Sequence, residues 1–246
     1  MSELAGKAAL VTGGGRGIGA AIAVRLAELG ADVAITYNSN KERAEETAGK
    51  VRALGRTAVV IAADNTDADA VIASVNQAAA DLGRLDILVN NAGIFPFAVI
   101  DEVTLAEVDT TLAVHARAVY LATQAAVKHM TEGGRVISIG SNLAARVPYP
   151  GVALYSMSKS ALVGFTKGVA RDLAERGITA NLVHPGSTDT EMNPADGEAA
   201  ADELALIPLG RYGQAEDIAN AVAYLAGPGG RHITGTEITV DGGANI

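Results

Sequence analysis

Apolar and polar positions fall in blocks along this chain. Short, mainly apolar runs at Ala8–Val11, 33–37, 58–61, 87–89, Arg135–Ile139, 178–183 and Glu237–Val240 are separated by longer mixed stretches. The runs do not alternate residue by residue, as a strand with one wet face would, so they predict strands buried on both faces. In the longer stretches apolar side chains return every third or fourth position, as at Ile18, Ile22, Leu26 and Leu29. That period predicts helices over 17–29, 41–54, 67–82, 105–130, 153–176 and 215–225. Gly30 and Gly55 stand where the first two would stop, and Asp67 where the third would be capped. Strands alternating with helices predict the α/β class: a doubly wound parallel sheet of about seven strands with helices on both faces.

Ligands of such sheets bind outside the carboxyl ends of the strands, so the residues after each run are the first place to look for chemistry. They are Thr12 to Gly19, Asp64 and Asn65, Asn90 to Gly93, Gly140 to Asn142, and His184 to Thr188. Ordinary turn chemistry would put Gly, Asx or hydroxyl residues at one or two of these places. Here they stand at all five. Gly13, Gly15, Gly17 and Gly19 lie between a strand and a helix, where missing side chains let a pyrophosphate approach the helix N-terminus. Gly-rich turns are common, so this signal is weak taken alone, and no Lys-Ser/Thr follows it as in the phosphate loop of ATPases. Tyr155 and Lys159 are four apart at the start of a predicted helix and share one face. A nearby ammonium favours a phenolate, so the expected effect of Lys159 is to lower the Tyr155 pKa. A solvated Tyr–Lys pair is the commoner meaning of that spacing by itself.

Composition narrows the reading. The 246 residues are 49% hydrophobic and 19% charged, enough apolar content for a packed core and too much for disorder. The net charge of −9, 4% aromatic content and absence of Trp argue against a nucleic-acid partner. No cysteine is present, which excludes a disulfide framework and a thiol nucleophile. No metal site is expected. No apolar run approaches the ~18 residues of a membrane span. Residues 1–7 carry no basic-then-apolar leader, so a cytoplasmic location and no membrane partner are expected.

Taken together these residues resemble the short-chain dehydrogenase/reductase family. Thr12-Gly13, Gly17-Ile18-Gly19, Asn90-Asn91-Ala92-Gly93, Ser141, Tyr155 with Lys159, and Pro185-Gly186 match its motifs in order, and the similarity runs from about residue 4 to Gly243. The resemblance implies a single Rossmann-like domain over 1–246, with a substrate-covering excursion at about 190–208. It implies an oxidoreductase that interconverts a ketone and a secondary alcohol. Tyr155 is then the general acid/base, Lys159 tunes it and holds ribose hydroxyls, and Ser141 binds the substrate oxygen. Asn91 would touch the cofactor near its ribose, Asp64 would accept from its adenine amine, and Thr190, behind Pro185-Gly186, would hold the carboxamide or phosphate side of its nicotinamide. Asn65, Ala92, Gly93, Pro185, Gly186 and Thr188 are further cofactor-binding candidates. The family also implies a homotetramer formed through two long helices. Small residues on both, such as Ala118, Ala122, Gly164 and Gly168, suit close packing against a partner or against the sheet.

Two positions depart from the family pattern. His115 stands where Asn is usual, at a helix distortion that holds a water in the proton relay to the lysine. Two readings are open: a histidine that fills space, or an imidazole that joins the relay as a catalytic group titrating near ~6.5. Tyr155 also follows Ser141 by one position more than is common, and Ser138 is the weaker alternative because it lies within a strand.

The cofactor can be narrowed further. NAD-binding chains carry a carboxylate about 20 residues past the Gly turn. Here the second strand ends in Tyr37, Asn38 and Ser39, with no acid before Glu42. Arg16 lies within the Gly turn, and a guanidinium beside hydroxyl and amide groups suits a phosphate. NADP(H) is therefore favoured over NAD(H). The closest subgroup resemblance is to 3-oxoacyl-[acyl-carrier-protein] reductases. Glu132 stands where a carrier-docking member tends to be basic, although Arg176 suits such a site, and the acidic total charge fits poorly with an acidic carrier. A small ketone or alcohol is the preferred substrate reading. A cofactor-binding regulator without turnover is the competing class.

Overall fold

A computed structural model describes residues 2–246. Seven parallel strands form one sheet in the order β3-β2-β1-β4-β5-β6-β9. They are β1 (Ala8–Val11), β2 (Asp32–Tyr37), β3 (Ala58–Ala62), β4 (Ile87–Asn90), β5 (Arg135–Ile139), β6 (Thr179–Pro185) and β9 (Glu237–Val240). Two short strands, β7 (Thr188–Asp189) and β8 (Gly213–Gln214), form a small parallel ladder beyond β6.

Both faces of the sheet are dry through the central strands, as the unbroken apolar runs require. The edge strand β9 instead leaves Glu237 and Thr239 exposed, because no further strand or helix among the described residues covers that face. Ala9, Val11, Val33, Ile35 and Val89 point to one face and meet Ile22 and Leu26 of α1 (Gly17–Glu28), Ala44 and Val51 of α2 (Lys41–Ala53), and Ile218 and Val222 of α8 (Ala215–Ala226). Leu10, Ala34, Leu88 and Val136 point to the other. There they meet Val71 and Val75 of α3 (Ala68–Leu82), Ala118 and Ala122 of α5 (Ala118–Ala126), and Leu173 of α6 (Ala153–Leu173). Burial of each such branched side chain stabilises the fold by about 1.5–3 kcal/mol. The strand order reverses between β1 and β4, which opens a crevice at their carboxyl ends.

The helix expected over 105–130 is not continuous. It runs as α4 (Leu105–Leu112), a π turn (Ala113–Arg117) and α5, ending at Ala126. A π turn holds an extra residue and turns a side chain away from the regular helical stripe. Here that side chain is His115. The stretch 190–208 contains one short helix, α7 (Ala200–Ala205), anchored through Ala200 and Ile207 to Tyr212 and Ala244.

Candidate active site

The crevice is a single cleft of about 850 Å³. One end is built by the Gly turn. Side chains cannot be added there: a Cβ on Gly14 would lie 2.6 Å from Ile35, and one on Gly19 would lie 2.4 Å from the Gly13 carbonyl. Gly13 and Gly17 also have positive φ. α2, α3 and α4 begin with side-chain caps from Asn40, Asp67 and Thr104, whereas α1 has neither a side-chain cap nor an acid in its first turn. Its free N–H groups and positive dipole end therefore face the cleft, where a pyrophosphate fits. The Gly turn, Tyr37, Asn38, Ser39, Asp64, Asn65, Asn91, Ala92, Gly93, Pro185, Gly186, Thr188 and Thr190 all line this cleft.

Thr12 does not. Its hydroxyl is buried and accepts the N–H groups of Asn91 at 3.0 Å and Ala92 at 3.1 Å. The Asn91 amide in turn donates to the carbonyls of Thr12 and Gly13 at 2.9 and 3.1 Å. The two side chains tie the end of β4 to the Gly turn, so Thr12 acts behind the cleft wall rather than at its surface. Asp64 reaches the cleft with one carboxylate oxygen already accepting the Thr66 N–H and hydroxyl.

Beside Tyr37 to Ser39 a residue that the sequence did not single out completes a basic corner. Arg43, in the first turn of α2, and Arg16 both reach Glu191, at 3.3 and 4.0 Å respectively. All three side chains are about half exposed and line the cleft. Only the chain reversal at Asn40 brings Arg43 here, where the Asn40 side chain accepts the Arg43 N–H at 3.0 Å.

At the other end of the cleft stand Ser141, Tyr155 and Lys159. Ser141 follows the end of β5 after one residue, Gly140. Its Oγ accepts the Leu143 N–H at 3.1 Å, which leaves its own proton to donate. Ser138 is fully buried within the sheet and receives the Asn90 amide at 3.3 Å, so it faces no ligand. Lys159 is buried and donates to the Ile139 carbonyl at 3.0 Å, leaving two further N–H donors. Burial pushes its pKa down to about 8.

The expected lowering of the Tyr155 pKa is not what the structure gives. Lys159 Nζ lies 5.8 Å from the centre of the phenol ring. Burial dominates and pushes the phenol up to about 12, with the Ser141 hydroxyl acting in the opposite sense. Phe95 covers the ring edge-on at 4.8 Å. At neutral pH the group is therefore a phenol with a proton to give.

His115 is also corrected. It is 1% exposed and lies behind the cleft wall. Its Nε2 accepts the Ile94 N–H at 3.0 Å, which fixes the proton on Nδ1. Nδ1 then donates to Ser158 Oγ at 2.8 Å, and Ser158 donates to the Tyr155 carbonyl at 2.7 Å. Both ring nitrogens are thus used. Burial, followed by the Lys159 charge, holds the imidazole pKa down to about 3, so it does not titrate near 6.5. The ring braces the loop after β4 against the first turn of α6.

A family model described as enoyl-(acyl carrier protein) reductase matches residues 13–245. A short-chain dehydrogenase of Burkholderia cenocepacia, solved in complex with NADP, is 56% identical with a TM-score of 0.98, covering 99% of this chain and 100% of that one. The cyclic-di-GMP-binding biofilm dispersal mediator protein of Escherichia coli is 43% identical over 98% of both chains. A 3-oxoacyl-[acyl-carrier-protein] reductase of Staphylococcus aureus is 40% identical over 96% of this chain and 97% of its own. The chain belongs to the short-chain dehydrogenase/reductase family, a family of oxidoreductases.

Proposed function

We propose that this chain is an NADP(H)-dependent oxidoreductase that interconverts a ketone and a secondary alcohol. One observation carries the reading. The uncapped α1 terminus and the Arg16–Arg43 corner stand at one end of the same cleft that holds Ser141, Tyr155 and Lys159 at the other. The Burkholderia relative, solved with NADP, supports the choice of nucleotide. The lack of a carboxylate at the end of β2 supports it independently.

The nicotinamide cofactor, when bound, supplies or accepts the hydride. This chain's residues handle the proton and the oxygen. Ser141 donates to the carbonyl oxygen and holds it beside Tyr155. The phenol, kept protonated by burial, gives its proton to that oxygen as the alcohol forms. Lys159 holds ribose hydroxyls with the donors that Ile139 leaves free and keeps positive charge near the phenolate that results. In the oxidative direction the phenolate takes the proton back. From Met192 onward the stretch 190–208, with Met192 and Leu206 in the cleft wall, covers the substrate end, while Glu191 turns to the basic corner.

A small apolar ketone suits this site better than a carrier-bound thioester. Arg176, the one basic residue suited to carrier docking, donates its guanidinium to the carbonyls of Val127 and Met130 at the end of α5. Arg146, at the substrate end, is held by the carbonyls of Ala244 and Ile246. A homotetramer through the long helices is supported by α6, where Gly164 and Gly168 are exposed and face open space. Ala118 and Ala122 instead pack into the core.

A panel of ketones and alcohols, followed by cofactor absorbance with NADPH and NADH, tests the proposal together with Tyr155→Phe. Turnover with NADPH is expected, and the variant should lose about 10²–10⁴-fold in kcat while binding NADPH normally. Near-normal kcat in Tyr155→Phe would remove the phenol from the reaction. NADPH binding with no turnover on any carbonyl would favour a regulator.

A further inference from the structure

A second histidine lies against the backbone of Ser141. His184, in β6, is 4% exposed. Its Nδ1 accepts the main-chain N–H of Ser141 at 3.0 Å. Nδ1 is therefore unprotonated and the ring proton sits on Nε2. That nitrogen faces Glu237 Oε2 at 3.2 Å, across the β6–β9 pairing. The other oxygen, Glu237 Oε1, meets Lys167 Nζ of α6 at 3.0 Å. A chain of polar contacts thus runs from the protein surface at Lys167, through a carboxylate and an imidazole, to the backbone of Ser141.

The fold makes room for this contact. Gly140 immediately precedes Ser141, and a Cβ there would lie 2.5 Å from His184 Nδ1. The glycine is thus the seat of the imidazole. The Gly140 N–H is separately paired with the Val183 carbonyl at 2.7 Å. The backbone on both sides of the peptide leading into Ser141 is therefore held from β6.

We propose that His184, oriented by Glu237, is a positioning residue that fixes the Ser141 peptide so that the serine hydroxyl points at the substrate oxygen. The inference rests on the reading that Ser141 binds that oxygen. Two contacts locate the residue: His184 holds its N–H, and Leu143 occupies a lone pair on its Oγ. With both in place the hydroxyl proton has one useful direction left, into the cleft. Without His184, a buried N–H loses its acceptor and the peptide is free to rotate toward another. Burial raises the Glu237 carboxyl, but Lys167 and His184 more than offset it and hold it below its usual range. The carboxylate is thus ionised and able to accept the imidazole N–H.

The test uses the full-length protein and three kinds of measurement: kcat and KM for the best ketone, NADPH affinity by fluorescence titration, and thermal stability. His184→Leu removes the acceptor, while His184→Asn places an amide oxygen where Nδ1 stood. The expected result is a fall in kcat of at least about tenfold in His184→Leu, with NADPH affinity unchanged within about twofold, and recovery of most of the kcat in His184→Asn. Glu237→Ala should lower kcat more than Glu237→Gln, which keeps an acceptor for Nε2–H. This more exposed pair decides the question should His184→Leu fail to fold. Ser141→Ala is the reference. If it keeps wild-type kcat, the reading of Ser141 fails. If it loses activity while His184→Leu, or Glu237→Ala where His184→Leu does not fold, turns over normally, only the positioning role fails. Equal losses in the Leu and Asn variants, in step with lost stability, would make His184 a packing residue and overturn the proposal.

Discussion

At the scale of single residues, burial decides the chemistry of three ionisable side chains, Tyr155 and Lys159 in the cleft and His115 behind its wall. It keeps Tyr155 protonated, lowers the Lys159 pKa to about 8 and holds His115 neutral. The last has a consequence for stability. Unfolded, His115 takes up a proton near its ordinary 6.5; folded, it does so only near about 3. Between those values the unfolded chain binds more protons, so stability falls as pH drops from about 6.5 toward 3 and is unaffected by this group above that window. The full effect is on the order of 5 kcal/mol. Thermal unfolding of His115→Asn across that range should show a shallower acid limb than wild type. The pH–rate profile of the wild type should carry no limb from His115 near 6.5, and a limb there that disappears in His115→Asn would contradict the neutral, doubly bonded ring.

At the scale of elements, most of the architecture was legible because it rests on local periodicity and punctuation. The seven strands could be read since each is a short apolar run, and α3 since Asp67 caps it. Periodicity alone did not show the π turn, which only the family resemblance implied as a helix distortion at His115: Ala113 to Arg117 contains no proline or glycine, and the contact that holds His115 there is with Ile94, across the chain. Arg43 was missed for the same reason. On α2 it reads as one charge among many, and the chain reversal at Asn40, which lays α2 beside α1, brings it to Arg16. The site residues that a motif could reveal, Ser141, Tyr155 and Lys159, do share one cleft. The basic corner predicts a division of labour. Arg43→Ala and Arg16→Ala should each weaken NADPH by about 1.5–3 kcal/mol and NADH far less, since each removes one charge-assisted contact to phosphate. Glu191→Ala should strengthen NADPH binding, because the carboxylate competes for the same two guanidinium groups. Equal losses for both nucleotides in the arginine variants would place the 2′-phosphate elsewhere.

At the scale of the whole molecule, the cleft joins elements from both halves of the sheet, so cofactor binding should stabilise the fold as a unit. A ligand at one hundred times its Kd adds about 2.7 kcal/mol. In a chain of this size 1 kcal/mol moves Tm by roughly 2–4 °C. Saturating NADPH should therefore raise Tm by roughly 5–10 °C, with a much smaller shift from NADH at the same concentration. Matching shifts from the two nucleotides in a melting assay would argue against selection for the phosphate.

The seat that Gly140 gives to His184 also bears on how such chains diverge. The imidazole fills the volume that a side chain at 140 would need, and its nitrogen serves the next peptide. Neither position can drift alone: a methyl at 140 expels the ring, and loss of the ring leaves a buried gap and an unpaired N–H. The two sites are thus inherited as one character. In a comparison of related sequences, a residue larger than glycine at 140 should occur only where 184 carries something smaller than histidine.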